Sequence, residues 1–110
     1  MLVKNSTMIK SVNVSYGGAN NVSMKVLTKG TGKFILRKFI IKKDGYTPFH
    51  NHDWEHEVYV LSGNGLLKTM KGNKKLKGGD VVFIKPREWH QFLNKSRKDF
   101  EFLCIIPGEK

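Results

Sequence analysis

Cysteines and long apolar runs are scarce in this 110-residue sequence. Its single cysteine, Cys104, cannot form an intrachain disulfide, which is typical of a reducing compartment. The sequence has no run of about 18 apolar residues, the length that a membrane-spanning helix needs. Its first residues lack the apolar segment of a signal peptide. We therefore expect a cytoplasmic protein that does not span a membrane.

Acidic residues are also few, because nine Asp and Glu stand against 20 Lys and Arg and leave a net charge of +11. One interpretation is a partner of negative charge, such as a nucleic acid or a small anion. The other, which we favour, is a solvated basic surface. The lysines are scattered, with small clusters at Lys42–Lys43, Lys71–Lys77 and Lys95–Lys98 where we expect turns. No nucleic-acid-binding motif accompanies them, so nucleic-acid binding is the weakest hypothesis.

The sequence also lacks any convincing amphipathic helix of ten or more residues, and short β-type runs separated by Gly, Asn and Asp dominate it. This pattern predicts one all-β domain over residues 1–110, an antiparallel barrel or sandwich. The predicted strands are Met8–Val14, Met24–Thr28, Lys33–Ile41, His56–Leu61, Leu66–Met70, Asp80–Ile84, His90–Leu93 and Phe100–Ile106.

Three of the four histidines lie within seven residues, at His50, His52 and His56. On an extended chain, residues two apart point to the same side, so His50 and His52 can face one point. His56 begins the next predicted strand and can return to that point. The remaining histidine, His90, comes from the second half of the chain. Imidazole nitrogens suit divalent transition metals, so the pattern predicts a metal site.

Two segments around these histidines resemble the motifs of the cupin family. Gly45–Gly63 is similar to the first motif, G-x5-H-x-H-x3,4-E-x6-G, and Gly79–Asn94 is similar to the second, G-x5-P-x-G-x2-H-x3-N. The resemblance implies a jelly-roll β-barrel that holds a metal ion inside. Gly45 lies one residue too close to His50, and Lys85 and Arg87 stand in the proline and glycine positions of the second motif.

The glutamate position of the first motif is occupied by His56 or by Glu57, depending on the spacing allowed. Six residues separate His56 from Gly63, as the motif requires, whereas Glu57 leaves only five. Small bacterial cupins with an H-x-H-x-W-E-H-E segment also resemble this chain, and their third ligand is histidine. We therefore predict the metal ligands His50, His52, His56 and His90, with Glu57 outside.

Four neutral imidazoles leave the full +2 charge on the ion, which favours anionic ligands. The resemblance ranks manganese first and iron second, with nickel, copper and zinc as alternatives. Alternation along the strands predicts pocket residues at Arg37, Phe39, Phe92, Phe102, Cys104 and Ile106. Trp54 is a further pocket candidate from its place between His52 and His56, where it either caps the pocket mouth or packs in the turn.

The sequence does not identify a catalytic residue, and if the protein is an enzyme its catalytic unit is the metal with its four histidine ligands. The first functional hypothesis is a metal-dependent oxygenase or related oxidoreductase that acts on a small anionic or enolisable molecule. The second is a module that binds such a ligand without turnover. We also expect a homodimer that forms through the N-terminal strands.

Overall fold

The computed structural model describes residues 1–108 and shows an all-β protein, which confirms the predicted fold class. Two short 3₁₀ helices, Ser6–Met8 and Tyr16–Gly18, precede most of the sheet. The strands are β1 (Val12–Val14), β2 (Asn20–Thr28), β3 (Phe34–Tyr46), β4 (His56–Ser62), β5 (Asn64–Thr69), β6 (Gly72–Lys77), β7 (Val81–Ile84), β8 (His90–Leu93) and β9 (Phe100–Pro107).

All strand pairs are antiparallel, and the strands form one curled sheet in the order β6-β5-β8-β3-β9-β4-β7, with β2 beside β3 and β1 beside β2. The long strand β3 connects the two halves of the sheet. It pairs with β9 from Phe34 to Ile41 and with β8 at Tyr46. This arrangement brings β4 and β8, the strands that begin at His56 and His90, to the same interior.

The core is built by the period-two alternation of the strands. The inner face of β9 contributes Phe100, Phe102 and Cys104, and the inner face of β4 contributes Val58 and Val60, all buried. Burial of each large apolar side chain contributes roughly 1.5–3 kcal/mol to the stability. The core therefore supports the same interior face from which His56 projects.

The strand prediction was wrong at one segment, because Gly72–Lys77 forms β6 where we expected a turn. Leu76 is its only buried residue, so the apolar alternation that would reveal a strand is missing. The lysines Lys74, Lys75 and Lys77 are exposed on this edge strand, where charge discourages pairing with another chain.

Other boundaries also moved. The strand predicted over Met8–Val14 is shorter in the structure, because Met8 ends a 3₁₀ helix and β1 starts only at Val12. Strand β3 runs on through Lys42–Lys43, which we had placed in a turn, and it reaches Tyr46 with Asp44 at a φ of 62°. Within residues 1–108, no helix is long and apolar enough to cross a membrane.

Asn94, the last residue of the second cupin-like motif, is fully buried and connects three backbone segments. Its Nδ2 donates to the carbonyl oxygens of Ile41 (2.8 Å) and Lys98 (2.7 Å), and its Oδ1 accepts from the backbone N–H of Ser96 (2.9 Å). The amide thus holds the turn before β9 against the middle of β3.

We expect Asn94→Ala to lower the free energy of unfolding, because it leaves buried backbone groups without partners at a cost of about 1–3 kcal/mol each. Urea unfolding followed by far-UV circular dichroism measures the change. Asn73→Ala, at an exposed position of β6, is the matched control and should change stability by less than about 0.5 kcal/mol. Equal effects of the two substitutions would contradict this role for Asn94.

Candidate metal centre

The first and last histidines of the sequence face each other through direct backbone pairing. The backbone N–H of His50 donates to the carbonyl oxygen of His90 (3.1 Å). The backbone N–H of His90 donates in return to the carbonyl oxygen of His50 (2.9 Å). The segment before His50 continues this pairing, since Thr47 N–H donates to the Phe92 carbonyl oxygen (2.9 Å). Backbone hydrogen bonds therefore hold two distant parts of the chain in register at the site.

All four imidazole rings lie close together. The ring centroids are separated by 4.2 Å for His50 and His52, 4.8 Å for His50 and His90, 5.0 Å for His52 and His56, 5.0 Å for His56 and His90, and 5.6 Å for His52 and His90. One ring nitrogen from each of His50, His52 and His90 lies within 4.8 Å of the others. These three histidines could therefore hold a metal ion, and the ring of His56 lies beside them in the same histidine cluster.

The nitrogens of His56 test whether an ion fits the cluster. The side chain is buried, and its Nε2 has no hydrogen-bond partner among the described residues. Its Nδ1 lies 3.4 Å from Cys104 Sγ. A buried polar atom without a partner costs about 1–3 kcal/mol. An ion bound at Nε2 would remove that cost, so the donor set fits a divalent metal.

Glu57, the alternative third ligand, has its side chain on the opposite side of β4. It is exposed, whereas His56 and Val58 on either side of it are buried. Its Cα partners in the neighbouring strands are Phe83 and Ile105, which are also exposed. The pleat of the strand therefore directs Glu57 away from the histidine cluster.

The tautomer of His90 follows from its backbone contact. Its Nδ1 lies 2.9 Å from the carbonyl oxygen of Glu88, which can only accept a hydrogen bond. The neutral ring must therefore carry its proton on Nδ1, and Nε2 is left with its lone pair free. This arrangement is common for histidines that bind metals.

Burial keeps the four rings neutral. Desolvation, with smaller contributions from the neighbouring His90, His52, Arg37 and His50, lowers the pKa of His56 to about 3. Desolvation and the neighbouring His52 and His90 lower the pKa of His50 to about 4. Desolvation also lowers the pKa of His52 and of His90. Neutral imidazole is the form that binds metal, so the folded protein presents its donors ready at neutral pH.

A small cavity lies beside the rings. The cavity leaves about 40 Å³ for the centre of a water-sized molecule, and its total empty volume of about 430 Å³ includes open solvent at the mouth. The cavity lining is mostly apolar and contains no carboxylate. It comprises Val14, Tyr16, Arg37, Phe39, Thr47, Pro48, His50, His56, His90, Phe92, Phe102 and Cys104.

Arg37 is the one permanent positive charge in this lining. Its Nη2 donates to Cys104 Sγ (3.2 Å), and the guanidinium carbon lies 4.9 Å from the centre of the Phe39 ring. Its Nε is buried without a partner, and no carboxylate pairs with Arg37 in residues 1–108. A partly buried arginine without a counterion gives the cavity a positive potential that suits an anion.

The structure brings five of the seven predicted pocket residues to the cavity and places the other two elsewhere. Trp54 stacks on His52, with ring centroids 4.7 Å apart and planes 3° from parallel, and it is 42% exposed. Trp54 lies in a bend and is not part of the cavity lining. Ile106 lies at the end of β9 opposite Ile35, where it packs against the core beyond the cavity.

Four lining residues were missed by the sequence reasoning. Thr47 and Pro48 lie in an irregular segment, where alternation makes no prediction. Val14 and Tyr16 come from the N-terminal region, and only the tertiary structure places them over the cavity. The hydrogen bonds of Thr47 to the Phe92 backbone give it a structural reason to lie there.

Comparison with known proteins identifies the class to which this fold and site belong. The model of the cupin domain matches residues 37–106, and the chain belongs to the cupin family. The small barrel, its antiparallel strands and the interior histidines all agree with that assignment.

Two solved structures of the family are similar over nearly the whole chain. The polyketide cyclase RemF from Streptomyces resistomycificus has a TM-score of 0.93 and 31% identity, over 99% of this chain and 80% of that chain. A protein from Thermotoga maritima, described as a predicted oxalate decarboxylase, has a TM-score of 0.87 and 26% identity, over 98% of this chain and all of that chain.

The curated relatives match over shorter segments. An oxalate-binding protein of Thermotoga maritima is 36% identical over 58 residues, which cover 52% of this chain and 48% of the relative. An uncharacterized protein of Methanocaldococcus jannaschii is 29% identical over 66% of this chain and 58% of the relative. The matching part of the chain thus spans about half the length of these curated relatives.

We expect the metal-free protein to lose stability as the pH falls from about 7 to about 4. The unfolded chain takes up protons at its histidines near pH 6.5, whereas His50 and His56 stay neutral in the folded state until about pH 4 and 3. The unfolded state therefore binds more protons in this window, and the free energy of unfolding decreases on acidification.

Urea unfolding in the presence of a chelator, at a series of pH values, measures this dependence. Carboxylates also contribute below about pH 5, so His56→Gln is the control, and its stability should depend less on pH between about 7 and 5. An identical pH profile for the wild type and His56→Gln would show that burial does not keep His56 neutral.

Proposed function

We propose that this cupin binds one divalent metal ion through His50, His52, His56 and His90 and acts as an oxidoreductase of dioxygenase type on a small anionic or enolisable molecule. The observation that carries the proposal is the convergence of four neutral imidazoles beside a cavity that contains an arginine and no carboxylate. The four rings contribute no negative charge, so a bound ion keeps its full positive charge for the ligand.

The metal would supply Lewis acidity and, if redox-active, the means to use dioxygen. Manganese is our first choice and iron our second, while nickel, copper and zinc are alternatives that imidazole ligands also accept. The protein residues hold and orient the ligand. The apolar rings of Phe39, Phe92 and Phe102 exclude water from its bound end, and Arg37 provides hydrogen-bond donors for its charge.

The size and charge of the cavity define the class of ligand. The volume of about 40 Å³ available to the centre of a water-sized molecule accommodates a group of a few heavy atoms, while the open mouth admits a longer chain behind it. The ligands named for the relatives agree with this class. Oxalate is a dianion with two adjacent carboxylates, and a polyketide chain contains dicarbonyl units that form enolates. Each offers two oxygens to one cation.

A second candidate function is binding without turnover, in a sensor or carrier. It is supported by the likeness to the oxalate-binding protein and by the lack of a carboxylate in the cavity lining that could move protons. Nucleic-acid binding rests on the charge of +11 alone, and the cytoplasmic location remains a prediction.

We expect His56→Ala to weaken metal binding by roughly 100-fold or more. This is a larger effect than the roughly 10–100-fold caused by removing a residue that only hydrogen-bonds to a metal ligand. Competition titration with a chelator measures the dissociation constants for Mn²⁺ and Fe²⁺. Glu57→Ala is the matched control, because it removes the neighbouring side chain that the structure places on the outer face. If Glu57→Ala weakened binding more than His56→Ala, the third ligand would be the glutamate.

We expect the Mn²⁺- or Fe²⁺-loaded protein to consume dioxygen in the presence of oxalate or acetoacetate. Arg37→Gln should raise the dissociation constant for the anion by roughly 10–100-fold, because a hydrogen bond to a charged group contributes about 1.5–3 kcal/mol. Lys38→Gln removes the same charge from a side chain that pairs with Glu101 instead, and it should leave anion binding unchanged.

An oxygen electrode and calorimetry distinguish the two candidate functions. Anion binding with no oxygen uptake and with the ligand recovered intact would favour the binding module. Equal effects of the Arg37 and Lys38 substitutions would contradict the assignment of Arg37 to the ligand.

We also propose that the chain pairs with a second copy of itself, through the outer face of β4, β7 and β9 rather than through the N-terminal strands. These three strands contain none of the 20 lysines and arginines. Their outer face exposes Tyr59, Leu61, Val81, Phe83 and Ile105 around the carboxylate of Glu57, and an exposed, largely apolar surface of this kind marks interaction sites. Two copies that each have a net charge of +11 repel each other least when they meet through surfaces without lysine or arginine.

We expect sedimentation to show a dimer that becomes tighter as salt rises from about 0.05 M to about 0.5 M, because salt screens the repulsion between the two cationic chains. Phe83→Lys should dissociate it. Met70→Lys, at a residue that is 73% exposed outside this face, should not. A monomeric wild type, or equal dissociation by both substitutions, would overturn the assignment of the interface.

A further inference from the structure

Cys104 occupies a central position behind the histidine cluster. Strand β9 lies between β3 and β4, and in this register Cys104 is opposite Arg37 on one side and Val58 on the other. His56 lies two residues before Val58 and therefore on the same face. The thiol is only 3% exposed, so its contacts are with protein atoms of the interior.

The sulfur of Cys104 lies between two side-chain nitrogens that can donate a hydrogen bond to it. Arg37 Nη2 donates to Sγ at 3.2 Å, and His56 Nδ1 lies 3.4 Å from Sγ. Burial raises the pKa of the Cys104 thiol, although Arg37 opposes that shift, so the group is a neutral thiol. A thiol sulfur can accept hydrogen bonds weakly from both neighbours.

The tautomer of His56 decides what the sulfur does. A neutral imidazole carries one proton, and only the nitrogen without it can bind a metal. Nε2 is the nitrogen without a partner among the described residues, so it is the one available to an ion. In that state the proton is on Nδ1, and Cys104 Sγ is the acceptor within reach.

We propose that Cys104 is a positioning residue for the metal: its sulfur accepts the Nδ1–H of His56 and so selects the tautomer whose Nε2 is free to bind the ion. The inference rests on the proposed metal site. Arg37 holds the sulfur in place from the other side. The carbonyl oxygen of Glu88 makes the equivalent contact with Nδ1 of His90 at 2.9 Å, so two of the four rings have an acceptor behind them.

The competing interpretation of Cys104 is a small buried apolar side chain, which is the common role of a free cysteine. Serine and alanine substitutions separate the two interpretations, since they are close in size but only serine keeps an acceptor. If the sulfur only packs, alanine should be tolerated at least as well as serine. If it accepts from His56, serine should preserve metal affinity better than alanine.

The test is the dissociation constant for Mn²⁺, measured by chelator competition on the full chain. We expect Cys104→Ala to weaken metal binding by roughly 10-fold. This is the lower end of the range for removing a hydrogen-bond partner of a metal ligand, because sulfur is a weak acceptor. Cys104→Ser should recover most of that loss. Val22→Ala is the control, because it shortens a buried side chain of β2 that does not line the cavity.

Nitrogen–proton correlation spectra of the zinc-loaded wild type provide a second readout that needs no variant. They should show His56 with its proton on Nδ1 and in slow exchange with solvent. A proton on Nε2 of His56, or equal affinity of the Ala and Ser variants, would overturn the role of Cys104 alone. A wild type that binds no metal at all would instead overturn the metal centre.

Discussion

Everything in this site depends on four uncharged imidazoles packed close together, of which His56 and His90 are buried and His50 and His52 are partly buried. Each ring loses hydration when it is buried, which is why the pKa values of His50 and His56 fall to about 4 and 3. Two acceptors behind the rings, the Glu88 carbonyl oxygen and the Cys104 sulfur, satisfy one nitrogen each. One nitrogen from each of His50, His52 and His90 lies within 4.8 Å of the others, and Nε2 of the neighbouring His56 has no partner among the described residues, so a divalent cation suits their chemistry.

The sheet explains how residues from both halves of the chain reach that point. Strand β9 places Cys104 beside His56, while backbone pairing with β8 sets His50 opposite His90. The network is continuous, because Arg37 contacts the sulfur that contacts His56. A ligand held by Arg37 would therefore lie in the cavity that His50, His56 and His90 also line. Positioning of the metal ligands and recognition of an anion would then depend on one set of side chains.

Much of this fold could be predicted from the sequence, because the strands that line the interior alternate clearly. The row of Phe102 and Cys104 follows from the period of two, and the spacing of His50 and His52 is that of an extended chain. The unpredicted parts do not obey a period. Strand β6 is an edge with one buried residue, and Thr47 lies in an irregular segment whose position depends on hydrogen bonds to β8. Trp54 was assigned to the pocket from its place between two histidines, but it lies in a bend, where no period applies, and stacks on His52 outside the cavity lining.

The central claim is that four imidazoles share one ion, and X-ray absorption spectroscopy of the manganese-loaded protein tests it most directly. Multiple scattering from imidazole rings counts these ligands independently of any activity. The account predicts four imidazole nitrogens around the metal, with the remaining positions filled by oxygen ligands that give no imidazole multiple scattering, and a loss of one imidazole in His56→Ala. A spectrum with a carboxylate and only three imidazoles, or one that His56→Ala leaves unchanged, would contradict it.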